Sequence, residues 1–183
     1  MWENDTAVEL PGLGPTGNDA YAINDHGQAV GYVTSPDRTT IFPTVWLDGA
    51  RGAPTSLGIL PGDGAAFATG INNRGQVVGS TFNSQGWSHG FIWQDGVLTD
   101  LNTLIPGDSN LFIIAASNVN ERGQISGMAT VMSGPDEGKI HAILLTPVNE
   151  RIGRSVADVA PTRPGSNLPS NASGHHLPSQ LQR

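Results

Sequence analysis

Ile71-Asn72-Asn73-Arg74-Gly75-Gln76-Val77-Val78-Gly79 decides the fold, because the chain contains it three times. Ile23-Asn24-Asp25-His26-Gly27-Gln28-Ala29-Val30-Gly31 precedes it and Val119-Asn120-Glu121-Arg122-Gly123-Gln124-Ile125-Ser126-Gly127 comes after it, each 48 residues from the next. A fixed period of this length marks copies of one supersecondary unit. In every copy an Asn able to hydrogen-bond the backbone ahead of it is followed by a Gly that tolerates positive φ, which spells a tight turn between two strands.

Two further elements keep step with it. One reads Pro43-Thr44-Val45-Trp46, then Gly90-Phe91-Ile92-Trp93, then Ala142-Ile143-Leu144-Leu145, a third copy that has lost its Trp. The other reads Leu10-Pro11-Gly12-Leu13, Leu57-Gly58-Ile59-Leu60 and Leu101-Asn102-Thr103-Leu104. Each unit therefore holds four short β-branched or aromatic segments bounded by turn residues, and no stretch sustains the apolar spacing of an amphipathic helix. The 24 glycines in 183 residues, nearly twice the average share of about 7%, favour turns and short strands in the same way. The expectation is an all-β chain: a β-propeller-like array of about three four-stranded antiparallel blades, an incomplete or self-closing ring. A β-helix is the rival, but its turns recur at much shorter periods. The small-residue strands Ala20 to Ile23, Ala66 to Ile71 and Ala115 to Val119 are expected innermost, where blades crowd at an axis.

The period sets the domain boundaries. Residues 1–147 form the repeat domain, with a partial unit at 1–13 and units near 14–60, 61–104 and 105–147. Residues 148–183, rich in Pro, Ser and Asn, read as a disordered tail. Trp2 to Leu10 repeats the spacing of Trp93 to Leu101, so the chain starts partway through a unit and reads as an internal or truncated start. Val8-Glu9-Leu10 is expected to be the missing fourth strand of the last unit. It would clasp the chain's own end, or that of a second copy, giving a homodimer through complementary chain ends.

These motifs resemble the HAF repeat family of bacterial extracellular proteins, whose units pair a His-Ala-Phe-Leu-Trp strand with an Ile-Asn-x-x-Gly-Gln-Val-Val-Gly hairpin. The matching pieces are His89-Gly90-Phe91-Ile92-Trp93, Asp100-Leu101-Asn102-Thr103-Leu104, the three Asn-x-x-Gly-Gln hairpins and His141-Ala142-Ile143-Leu144-Leu145-Thr146-Pro147, covering about residues 2–147. The first unit departs from the pattern, with Phe42-Pro43-Thr44-Val45-Trp46 in place of the tripeptide strand. The resemblance implies the repeat architecture and an extracellular or cell-envelope location. It implies no catalytic residues. Met1-Trp2-Glu3-Asn4-Asp5 has no signal-peptide order of basic then apolar residues.

Composition removes several function classes. With no cysteine there is no disulfide framework, thiolate metal site or cysteine nucleophile. The net charge is −7; residues 1–147 carry 14 acidic and 5 scattered basic residues, so no basic stripe exists to hold nucleic acid. No apolar run reaches membrane-span length. Gly-x-Ser-x-Gly, His-Glu-x-x-His and phosphate-loop signatures are absent.

Four residues stand out as binding candidates. Trp87 lies in Asn83-Ser84-Gln85-Gly86-Trp87-Ser88, read as an irregular loop without counterpart, where an exposed aromatic beside polar residues suits contact with a partner. Asp19, Asp63 and Asp108 precede or enter the small-residue strands and could ring one mouth of a channel, although their unequal offsets favour solvated turns. Asn24, Asn72 and Asn120 read as turn caps, since calcium loops need more carboxylates than these turns carry. His89 and His141 recur at matching strand positions without convergent partners and read as packing. No catalytic, cofactor or metal residue is assigned. The leading expectation is a non-catalytic extracellular module presenting loops to a protein or glycan partner; the alternatives are a glycan-active propeller enzyme using carboxylates from different blades, or a truncated gene product.

Overall fold

The computed structural model describes residues 7–14, 16–48, 52–148 and 157–160; the Trp2 position and most of the 148–183 tail lie outside them. The described chain is all-β and antiparallel within each of three successive four-stranded units. The first unit comprises β1 (Asn18–Ile23), β2 (Ala29–Thr34), β3 (Ile41–Trp46) and β4 (Thr55–Ser56). The second comprises β5 (Ala65–Ile71), β6 (Val77–Phe82), β7 (Ser88–Gln94) and β8 (Val97–Asp100), closed by a 3-10 turn at Leu101–Thr103. The third comprises β9 (Leu111–Val119), β10 (Ile125–Val131), β11 (Ile140–Pro147) and β12 (Ala157–Ala160). One parallel bridge, Ile41 with Ala65, joins the first two units into a single sheet; the third is a separate sheet.

The 48-residue period survives as register. Gly31 pairs with Thr44, Gly79 with Phe91 and Gly127 with Ile143. The first strand of each unit bulges opposite this glycine, with register shifts at Ala20/Ala22, at Ala68/Gly70 and beside Gly127. A bulge pushes the partner backbone into the space a side chain would use. A Cβ on Gly31, Gly79 or Gly127 would lie 1.9, 2.0 or 2.2 Å from the carbonyl oxygen of Asp19, Phe67 or Ala115 respectively. The last Gly of the repeated motif is thus required by the bulge.

The units stack face to face and bury their apolar residues between them. Val30, Val45 and Leu57 of the first unit pack on Ala66, Ala68, Ile71, Val77 and Phe91 of the second. Val78 and Leu101 of the second pack on Ile113, Ala116, Val119, Ile125 and Ile143 of the third. Close approach depends on small residues, since a Cβ on Gly70 would meet Asn118 Cα at 2.9 Å and one on Gly90 would meet Ile113 Cγ2 at 2.8 Å. The outer face of the first unit buries Ala29, Val33 and Trp46 under Leu10. The Trp46 indole donates to Pro11 O at 2.8 Å. Leu10 here stands where Leu57 and Leu101 stand at the other two faces.

One expectation about the chain ends is corrected. Val8-Glu9-Leu10 is not a strand and does not pair with the third unit. The edge it was to fill is taken by β12, which pairs with β11 from Pro147↔Ala157 to Leu144↔Ala160. The physical reason is proximity in sequence: β12 reaches β11 by a short antiparallel return, whereas Leu10 is held on the opposite face of the array by the burial of Trp46.

Candidate functional site

The two ends of the hairpins differ, and the site arises from that difference. At one end lie the three repeated turns. Asn24, Asn72 and Asn120 each accept two backbone N–H bonds through Oδ1, from His26 and Gln28, Arg74 and Gln76, and Arg122 and Gln124, all within 2.9–3.1 Å. Each side-chain amide also donates to the Gln four residues on. The turns then bond to one another across the units: Asn24 Nδ2 donates to Asn72 O at 3.1 Å and Asn72 Nδ2 to Asn120 O at 2.9 Å. A parallel rung runs from Asp25 N to Asn73 Oδ1 and from Asn73 N to Glu121 Oε1. With its turn amides committed in this way, this end is scaffold.

At the other end, each unit has its own loop. Residues 83–87 between β6 and β7 are not irregular, as the sequence suggested. Asn83 Oδ1 accepts from Gln85 N and Trp87 N at 3.0 Å, and Gly86 has φ +83°, so this is a fourth Asn-x-x-Gly turn with Trp87 where the others carry Gln. Asn83 N also donates to Trp87 O at 3.0 Å. The turn fixes the Trp87 backbone while leaving the residue 60% exposed.

Trp87 stands over a cleft of about 360 Å³ at the seam of the second and third units, with Phe112, Ile114, Val131 and Met132 beside it. Ser88 ties the seam by donating to Ile114 O at 2.7 Å. Ser88, Thr130 and Glu137 are the polar side chains that line it. Phe112, Ile114, Met132 and Glu137 were not singled out from the sequence. A signal was available for the last two: the loop between β10 and β11 spans 132–139 and is longer than its counterparts at 35–40 and 83–87. Asp136 within it pairs with Lys139, which holds the Asp136 carboxyl below its ordinary range through that hydrogen bond and charge.

The three aspartates are placed separately from Trp87. Asp19 is an exposed β1 residue opposite Tyr32, beside a small hollow lined by Glu9, Leu10, Asn18 and Trp46. The Asp63 carboxylate accepts a short hydrogen bond from the buried Thr81 hydroxyl, so it anchors the turn into β5. Asp108 is exposed in the turn from Pro106 to Ser109. Among the described residues, no three His, Asp or Glu side chains converge as a metal-ligating group. His89 Nδ1 lies 3.1 Å from Asp100 Oδ2 and its ring meets Phe112 edge-on at 5.3 Å. The other Asp100 oxygen caps the 3-10 turn by accepting from Asn102 N at 2.8 Å. The nearby Ser88 hydroxyl is committed to Ile114 O, so it is not presented to His89 as a nucleophile.

No helix among the described residues is long and apolar enough to cross a membrane. Compared with protein-family models, curated proteins and solved structures, the chain matches none.

Proposed function

We propose that this chain is a non-catalytic repeat module of the HAF type, its units acting as blades of a propeller at the cell exterior or envelope, and that the Trp87 cleft receives an apolar side chain of a protein partner. The observation that carries the reading is a largely exposed tryptophan, its backbone hydrogen-bonded into a polar turn, over an apolar cleft. Exposed large aromatics on fixed backbone make effective anchors because little conformational entropy is lost on binding. The volume lies at the lower end of the range of about 300–1,000 Å³ for small-ligand pockets, which suits one or two side chains. Phe112, Ile114 and Met132 supply apolar walls, and methionine adapts to partner shape.

A glycan is the second reading, favoured by the free indole face of Trp87. A sugar also needs several polar groups beside the aromatic to orient its hydroxyls, and Glu137 and Thr130 are a sparse set. The enzyme alternative has less support, since Asp63 is bound to Thr81 and His89 is held between Asp100 and Phe112.

Panning a displayed peptide library on the purified chain, with a glycan array run in parallel, tests the reading. The expected result is a set of peptides sharing one aromatic or aliphatic anchor, all lost with Trp87→Ala. Peptide capture that survives Trp87→Ala, or turnover of any arrayed glycan, would overturn it.

A further inference from the structure

Corresponding positions on the three units have very different exposures. Ile71 and Val119, at the end of β5 and β9, are 8% and 5% exposed because the preceding unit covers them; Ile23, at the end of β1, is 69% exposed. Ala20 is exposed while its counterparts Ala68 and Ala116 are buried. Along β1 the first unit therefore presents a face built like the two that are covered, beside the Ala29, Val33 and Trp46 patch that Leu10 already closes. At the far end of the array, Met128, Ile140 and Leu144 are exposed on the side of the third unit that points away from the second.

The hydrogen-bond pattern ends in complementary halves at these two faces. Asn72 O and Asn120 O each accept from their own turn glycine and from the Asn amide of the preceding unit, whereas Asn24 O accepts only from Gly27 among the described residues. Conversely Asn120 Nδ2 donates only within its own turn, to Gln124, among the described residues. Thr69 Oγ1 donates across the seam to Ala116 O at 2.7 Å; its counterpart Ser117 is exposed, and the matching acceptor, Ala20 O, lies on the exposed strand of the first unit. The far face thus carries donors and the near face carries acceptors.

We propose that a second copy of this chain docks head to tail, its Ile23 face covering the Met128–Leu144 face of the first. Asn120 Nδ2 then donates to Asn24 O of the second copy, continuing the rung made twice inside the chain, and Ser117 Oγ donates to Ala20 O, repeating the bond that Thr69 makes once, to Ala116 O. A head-to-tail contact made twice between two copies closes a ring. Two sets of three units give six, within the range of about 4–8 blades for closed propellers. This docking is independent of what the Trp87 cleft holds, and it differs from strand exchange, whose edge β12 already fills. One feature opposes it: Glu121 and Asp25 meet at the new rung and the chain is acidic, so like charges weaken the seam.

Size-exclusion chromatography with light scattering on the full chain at about 100 μM, within the range where interfaces of ordinary size associate, is expected to give twice the 19.1 kDa chain mass. Ile23→Arg and Leu144→Arg, both at exposed positions, are each expected to give monomer. Mixing the two variants is expected to restore dimer, because one near face and one far face remain intact; this also shows that both variants fold. Glu121→Gln keeps an oxygen for Asn73 N, removes one like charge and tightens the dimer roughly twofold. A wild-type monomer would overturn the proposal, including one whose face is covered by residues 161–183 and which dimerises only when they are removed. So would an open-ended series of larger species, a dimer that only one of the two arginine variants disrupts, or a Glu121→Gln dimer no tighter than wild type.

Discussion

The same five-residue turn occurs at both ends of the hairpins, and its two settings teach different things. At one end Asn72 is buried and spends its amide on Asn120 O and Gln76, so the turn is a rung between units. At the other end Asn83 makes the same two Oδ1 bonds, yet it presents Trp87 to solvent. Periodic positions hold the array together, whereas the aperiodic Trp87 is left open to solvent. A turn motif fixes backbone geometry; the side chain next after its glycine differs between a Gln bonded back to its own turn and a Trp open to solvent.

The sharpest way to break the periodic half is Gly79→Ala. The added carbon would sit 2.0 Å from Phe67 O and 2.8 Å from the Phe91 ring, and backbone cannot yield as a side chain can. Urea unfolding should show a loss of roughly 3 kcal/mol or more, with the equivalent Gly31→Ala and Gly127→Ala similarly affected. Next comes Asn72→Ala, which strands Arg74 N and Gln76 N and cuts the rung to Asn120. A loss of about 2–3 kcal/mol is expected by the same measurement. Asn83→Ala removes the same two turn acceptors with no rung and less burial, so about 1 kcal/mol is expected. Equal losses for Asn72 and Asn83 would erase the distinction between the two ends.

Trp87→Ala sharpens the comparison from the other side. Removing a largely exposed side chain should change the unfolding free energy by less than about 0.5 kcal/mol while abolishing partner capture. The smallest effect concerns the first unit's counterpart loop, where the Ser35 hydroxyl and the Thr39 backbone and hydroxyl donate to Asp37 and hold its carboxyl below the ordinary range. A depressed carboxyl contributes stability that is complete above the unfolded value of about 3.9 and is lost as pH falls through the lower folded value. The Tm difference between wild type and Asp37→Asn is therefore expected to be level above about pH 4 and to close in acid.

Much of the architecture was legible in the sequence for a local reason. Asn-x-x-Gly and the β-branched run after it specify a turn and a strand within nine residues, and repetition then reports that three such units exist. The hydrogen bonds from Asn24 to Asn72 and from Asn72 to Asn120 span the period itself. Trp87 was legible as an aromatic out of register with the repeat. That its loop is a fourth copy of the turn was also written in Asn83 and Gly86, but it lies in the other hairpin of the unit, where the 48-residue comparison does not look. The walls of the cleft were not legible, because Phe112 and Ile114 sit on a strand whose inward face reads as core, and only the extra length of the 132–139 loop lifts Met132 and Glu137 beside Trp87.

By itself, then, the sequence determined the strand count of each unit and the repeated turns, since both derive from backbone geometry and side-chain size over short spans. The tertiary structure alone decided which of those faces are covered. Ile23 and Ile71 are the same residue in the same motif, one open to solvent and one buried, because burial depends on what stands opposite and no local pattern encodes that. It likewise decided that β12, and not Val8-Glu9-Leu10, completes the third unit, a choice made by which segment reaches the open edge of β11.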